Sequence, residues 1–194
     1  MRDSTELTND ILRGKYVHFT AQDMDQAAQP YFDWAQDGEY HRLVEDGPAV
    51  PLSIKGMRES NEQGWPEDDP CNVMFLIRDN EDDHIIGFAN LDYISWHNAD
   101  SYMGIGIGDK SFWGRGVGRE AMEILLRYAF TEMNLHRLSL TVYEYNERAI
   151  HMYEKCGFKI EGINREVHYR DGRRWDLVNM GILRSEWLER NGYT

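Results

Sequence analysis

Residues 104–130, GIGIGDKSFWGRGVGREAMEILLRYAF, decide how the chain reads. A strand-like segment with glycine at 104, 106 and 108 leads into the loop Gly114-Arg115-Gly116-Val117-Gly118 and then into a helix. In that helix Met122, Leu125, Leu126, Ala129, Phe130 and Met133 recur at spacings of three and four, which gives one apolar stripe ending near Asn134. Glycine lets the backbone approach an anion closely, while the free N–H groups and the positive dipole end of a starting helix point at it. The stretch therefore has the parts of a diphosphate cradle, and Arg115 and Arg119 add positive charge beside it. A tight strand-to-helix turn uses the same glycines, so the local pattern alone keeps both uses open. A Walker loop is excluded because no Gly-Lys-Ser/Thr follows, and a dinucleotide fingerprint fits poorly because Arg119 stands where the third glycine belongs.

Upstream, YVHFT (16–20) has strand composition, and Thr20 with Asp23 resembles a capping box ahead of Met24, Ala27, Ala28, Tyr31 and Phe32. Residues 37–51 are broken by Gly38, Gly47, Pro48 and Pro51; Ser53 then caps a short helix to about Gln63, ended by Gly64, Trp65 and Pro66. VMFLI (73–77) reads as a buried strand, DNEDD (79–83) as a charged turn, and Ile85 to Tyr93 as a second strand. Asn98 and Asp100 mark the next turn, and Ser101 to Gly108 completes an antiparallel meander. On the other side, Leu138, Leu140 and Val142 alternate with Ser139, Thr141 and Tyr143, which predicts a strand. Asn146 is placed to cap a helix that Gly157 ends, and Val167, Tyr169, the Asp171-Gly172 turn, Val178, Met180 and Ile182 predict a hairpin. The order is βα, α, βββ, α, β, α, ββ: an α+β (mixed α/β) chain with a mostly antiparallel central sheet flanked by helices. With no linker, repeat or low-complexity tract, residues 1–194 read as one domain.

The 41% hydrophobic content excludes the composition of disorder, and no apolar run approaches the roughly 20 residues that cross a bilayer. The start, MRDSTELTND, lacks the apolar core of a secretory signal, so a cytoplasmic, membrane-free protein is expected. Cys71 and Cys156 stand apart with no CxxC or Cys/His spacing, and none of the seven histidines has metal spacing, so reduced thiols and no metal are expected. Thirty-four acidic residues against 21 basic ones give a net charge of −13, which argues against nucleic acid and weakly favours a cationic partner.

WGRGVGREA (113–121) followed by NERAIHMYEKCGF (146–158) resembles the two adjoining signature motifs of the GNAT superfamily of acyl-CoA-dependent N-acyltransferases. TEMNLHRLSLTVYEYNERAIHMYEKCGFKIEG (131–162) and HYRDGRRWDLVNMGILRSEW (168–187) are similar to the branch with ribosomal-protein alanine and spermidine N-acetyltransferases, and the likeness spans about residues 15–190. The resemblance implies acetyl-CoA as co-substrate and splayed central strands that hold it. It gives the pantetheine arm to the backbone of Gly106, Ile107 and Gly108, and the pyrophosphate to N–H groups of Gly114, Arg115, Gly116, Val117, Gly118 and Arg119. The family pattern has Gln or Arg where this chain has Trp113, so a polar side chain is missing from the cradle, although most contacts there come from backbone. Asn146 aligns with a residue that contacts the cofactor, and a plain helix N-cap also suits an Asn there. Tyr153 stands where many members place a tyrosine that protonates the leaving thiolate, a task for which a phenol with a pKa near 10 is suited at neutral pH.

The implied reaction is direct attack of a primary amine on the thioester through a tetrahedral intermediate. A base must deprotonate the amine; many relatives carry a Glu where this chain has Tyr102, which leaves water or groups such as Asp92, Glu39 or His97. Cys156 has no His/Asp arrangement for covalent chemistry and reads as a packed thiol. Polyamines, protein N-termini, aminoglycosides and other small amines are the acceptors to distinguish. The alternative is a non-catalytic CoA-binding or protein-interaction module, motivated by Trp113 and Tyr102; a nucleotide-phosphate enzyme is disfavoured by the missing lysine. The aromatic segments 31–34 and 169–175 suit either an acceptor site or a homodimer or higher homo-oligomer interface.

Overall fold

The computed structural model describes residues 11–48, 50–51, 53–64 and 69–193. The start MRDSTELTND, the Trp65-Pro66 helix stop and most of the acidic stretch 66–70 lie outside the described residues. Among the described residues seven strands form one sheet in the order β1-β2-β3-β4-β5-β7-β6, with β1 Val17–Ala21, β2 Val73–Asp79, β3 Ile85–Ser95, β4 Asp100–Ile107, β5 Arg137–Tyr143, β6 Lys159–Arg170 and β7 Arg173–Leu183. Every pairing is antiparallel except β4 with β5. Among the described residues six helices flank it: α1 Met24–Ala35, α2 Gly38–Val44, α3 Ile54–Gly64, α4 Val117–Arg127, α5 Glu147–Cys156 and α6 Arg184–Asn191. None is long and apolar enough to cross a membrane.

The sheet separates two apolar layers. β2 is buried on both faces, which explains its unbroken run VMFLI: Leu76 faces Ala27, Tyr31 and Met57 of α1 and α3, while Phe75 and Ile77 join the larger core. That larger core takes Ala121, Met122, Leu125 and Leu126 of α4, Phe130 just beyond it, Tyr153 and Cys156 of α5, and Trp187 of α6. The stripe beginning in α4 runs on through a π-helical turn, Tyr128–Glu132, which adds one residue per turn and brings Phe130 against Trp187 with ring centroids 5.7 Å apart.

Three local expectations change. Asp23, not a Thr20–Asp23 box, opens α1: its carboxylate accepts from Asp25 N–H at 2.8 Å while Thr20 stays in β1. The broken stretch 37–51 contains α2, because Asp37 caps it by accepting from the N–H groups of Glu39 and Tyr40. The C-terminal α6 has a weakly apolar sequence and shows no periodic stripe; burial of the single residue Trp187 docks it. The other expected caps hold: Ser53 Oγ accepts from Gly56 N–H at 3.0 Å, and Gly157, at φ +102°, ends α5.

Glu120 of α4 ties the edge strand β1 to the helix that follows the glycine loop. Its carboxylate accepts from the N–H groups of Lys15 and Tyr16 at 2.7 Å and of Val17 at 3.1 Å. Glu120→Ala leaves the part-buried Val17 N–H without its acceptor, with Lys15 and Tyr16 N–H turning to water, and is expected to cost about 1–2 kcal/mol in a urea titration. Glu120→Gln, which keeps an acceptor oxygen, is expected to lose less.

Candidate functional site

β4 and β5 are paired over Asp100↔Arg137, Ser101↔Leu138 and Tyr102↔Ser139, and then part. The gap opens a cavity of about 1020 Å³. Met103 to Ile107 of β4 form one wall and Thr141 to Tyr143 of β5 the opposite one; the start of α4 and one face of α5 complete it, and Val44 to Asp46 at the end of α2 close over it.

The parting leaves a strand edge without ladder partners. In an antiparallel pair, both backbone groups of a residue point to the same side, alternating along the strand. Gly108 N–H donates to Ile86 C=O at 2.9 Å, and the Gly106 carbonyl stands against Gly87, so both residues are turned towards β3. The edge that faces the gap therefore belongs to Ile105 and Ile107. This corrects the expectation that placed the edge on 106–108, and Ile105 is the residue the motif did not name. The β4 glycines answer a packing demand on the other side: a Cβ at 104, 106 or 108 would overlap Asn90, Phe88 or Trp34.

The loop glycines behave differently. Gly114 (φ +74°) and Gly116 (φ +85°) occupy the left-handed region, and a Cβ on either would meet no atom within 4 Å. They shape a turn and leave its surface open. The first helical hydrogen bond runs from Glu120 N–H to Gly116 C=O at 3.0 Å, so the N–H groups of Val117, Gly118 and Arg119 have no partner inside the helix. Gly114, Gly116, Gly118 and Arg119 line the cavity, whereas the Val117 side chain is buried in the core and the Arg115 guanidinium lies over Phe112, 5.1 Å from its ring centroid.

Trp113 has a definite place at the cavity wall. Its indole N–H donates to the free Ile107 carbonyl at 2.8 Å, and its ring carries the Arg148 guanidinium 3.8 Å from the centroid. The aromatic thus seats a cation at the cavity wall, at the position where the family motif has a polar side chain. Arg148 was not singled out in the sequence; its signal was its position two residues after the cap Asn146, whose side chain accepts from Ala149 N–H at 3.3 Å. Arg119, Arg148 and Lys155 make one part of the wall cationic in a chain whose net charge is −13.

Tyr153 lines the cavity, only 8% exposed, with its ring edge-on to Phe158. Burial pushes its phenol well above the ordinary tyrosine range, which keeps the proton on at neutral pH. Cys156 is fully buried against Met152, and burial pushes its thiol up to about 12, as suits a packed group and not a nucleophile. None of Asp92, Glu39 and His97 lines the cavity, so these base candidates are not brought to the site: Glu39 pairs with Lys110, Asp92 bonds Asn90, and His97 sits in the β3–β4 turn. Tyr102 points out beside Tyr93. The acidic groups that do line it are Glu45 and Asp46, just past α2. Burial, with Asp46 next, pushes the nearby Tyr143 phenol up to about 12. Among the described residues, the one group with metal-ligand spacing, Asp79, Asp82 and His84, lies outside the cavity, and each already holds a hydrogen bond.

Residues 17–159 match the acetyltransferase (GNAT) domain family. The chain belongs to the GNAT acetyltransferases. It is 34% identical over 123 residues to spermidine N(1)-acetyltransferase of Vibrio cholerae, which covers 63% of this chain and 70% of that protein. A crystal structure of the Vibrio cholerae enzyme in complex with CoA and spermine superposes with a TM-score of 0.79 at 25% identity, over 89% of this chain and 98% of that one. A dodecameric structure of the same enzyme gives 0.73 at 26% identity, over 90% and 97%. Members of this family transfer an acetyl group from acetyl-CoA, and the open glycine loop, the unpaired β4 edge and the cationic wall of this GNAT chain fit that donor. The fold class, the enzyme class and the acetyl donor expected from the motifs thus stand.

Replacing Trp113 by Leu removes an indole hydrogen bond and the seat of Arg148. The Kd for acetyl-CoA, followed by titration calorimetry, is expected to rise roughly 5- to 30-fold, the equivalent of about 1–2 kcal/mol. An unchanged Kd would show that neither interaction serves the donor.

Proposed function

We propose that this GNAT enzyme acetylates a primary amine of a polycation, with a polyamine such as spermidine as its preferred acceptor. The observation that carries this is the division of charge in the cavity: Arg119, Arg148 and Lys155 on the α4 and α5 walls suit the phosphates of the donor, and Glu45 and Asp46 beside α2 suit a cationic acceptor. The named function of the Vibrio cholerae relative points the same way.

In this reading the N–H groups from Gly114 to Arg119 hold the pyrophosphate, the free edge at Ile105 and Ile107 beside Gly106 receives the pantetheine arm, and Asn146 both caps α5 and contacts the donor. The neutral amine nitrogen bonds to the thioester carbon, and collapse of the tetrahedral intermediate breaks the carbon–sulfur bond. Tyr153 gives its proton to the departing sulfur. The amine proton leaves through water, with Glu45 and Asp46 holding the rest of the acceptor in place. Residues 1–194 act as one acetyltransferase domain. A cytoplasmic setting accords with Cys71 and Cys156, both free thiols. A homo-oligomer accords with the dodecameric relative and with the edge strand β6, which exposes Ile160, Ile163 and Val167.

CoA release measured with a thiol reagent across spermidine, spermine, an aminoglycoside and Ala- or Ser-initiated peptides tests the acceptor class. Turnover is expected on the polyamines, and preference for a peptide or an aminoglycoside would overturn the assignment. Tyr153→Phe is expected to lower kcat on the order of 10²-fold, and an unchanged rate would remove the phenol from the reaction. Because burial raises the Tyr153 pKa, the proton donor stays loaded as pH rises, so kcat is expected to show no alkaline fall of phenol origin up to about pH 10. A descending limb below that pH that Tyr153→Phe abolishes would contradict this.

A further inference from the structure

We infer that Arg170, at the tip of the β6–β7 hairpin, is a positioning residue that sets the acidic acceptor wall; this rests on the proposed function. Its guanidinium reaches across the fold to the end of α2. One nitrogen, Nη1, donates to the Arg42 carbonyl at 2.7 Å and to the Tyr145 hydroxyl at 3.0 Å; the other, Nη2, donates to the carbonyls of Glu45 and Gly47, both at 3.2 Å. Tyr145 adds its own hydrogen bond to the Arg42 carbonyl at 2.8 Å.

The last carbonyls of a helix have no partner within it and form the negative end of its dipole, so a cation there is favoured. α2 has only seven residues and cannot hold its own end rigid. The chain leaves it through Glu45 and Asp46, the two carboxylates that line the cavity. Arg170 grips the backbone on either side of Asp46, at residues 45 and 47, and so fixes where both side chains start. A planar fork of donors can satisfy several carbonyls at once; a lysine ammonium on its flexible stem holds fewer of them in fixed directions.

The hairpin is built to deliver that fork. Asp171 (φ +54°) and Gly172 (φ +78°) are both left-handed, the geometry of a two-residue hairpin turn, and they place Arg170 at the last rung of β6 opposite Arg173. Trp175 Nε1–H donates to the Arg170 carbonyl at 3.0 Å, and Asp171 pairs with Arg42. Tyr145 joins the same network one residue before Asn146, the cap of α5. The acceptor wall and the helix that carries Tyr153 and Arg148 are thereby held to one another through a single guanidinium and one hydroxyl.

The test uses the full chain with Arg170→Met, Arg170→Lys and Tyr145→Phe. With spermidine as acceptor, Arg170→Met is expected to raise the amine KM on the order of tenfold while the acetyl-CoA KM moves less than about twofold; Arg170→Lys is expected to recover part of the loss, because it keeps the charge and not the fork. Hydrogen exchange without substrate is expected to speed up about tenfold at the amides of residues 43–47, with α4 unchanged. An amine KM that stays at the wild-type value, or two KM values that rise together, would overturn the positioning role. If the wild type turns over no amine, the proposed function fails by itself, and the exchange rates of residues 43–47 still decide whether Arg170 holds the wall.

Discussion

The parallel contact between β4 and β5 lasts three residue pairs, and the site depends on its ending there. Had the ladder continued, the backbone groups of Ile105 and Ile107 would be spent on β5. Because it stops, the sheet opens into a cavity one wall of which is a strand edge whose backbone groups have no ladder partner and call for others. The Trp113 indole meets one of these demands at Ile107, and a thioester with an amide-bearing arm is the kind of ligand that can meet others. The antiparallel strands on both flanks hold the opening in place: β3 anchors β4, and β7 anchors β5 along seven register pairs.

Charge is then distributed within that gap against the average of the chain. A surplus of acidic residues makes a cationic cavity wall a local construction, and it is assembled from two helices, with Arg119 from the first turn of α4, Arg148 from the first turn of α5 and Lys155 from the last turn of α5. The stack of Arg148 on Trp113 shows how a departure from a family motif is absorbed. The polar side chain lost at 113 is replaced by a cation arriving from a different helix, held by the face of the ring that replaced it. The acidic side of the cavity is carried by short, non-repetitive backbone just past α2. Such a segment has little stability of its own, and it takes its geometry from the distant hairpin through Arg170.

Much of this was legible before the fold was known. Period-two alternation located β5 and β7, the three-and-four spacing located α4, and Asp171-Gly172 located the hairpin turn, because each of these patterns reports a local geometry that burial on one face enforces. The glycine loop, Asn146 and Tyr153 were found through their motifs and come together around one cavity. What escaped were elements with too few residues for a period to show. α2 hides among glycines and prolines, and α6 has one buried side chain. Arg148, Ile105, Glu45 and Asp46 escaped for another reason: nothing local marks an exposed charged or ordinary apolar residue as facing a cleft.

From the amino-acid sequence came the class of fold, through hydrophobic period and turn residues, and the enzyme class and donor, through the likeness of two adjoining motifs to the GNAT family. Only the packed fold shows which backbone groups lack ladder partners, which carboxylates line the cavity and which contacts hold their backbone. Those depend on where a ladder ends and on contacts between residues more than a hundred positions apart, such as Arg170 with Arg42. Pairing of that range is set by the packed sheet, and no window of sequence contains both partners.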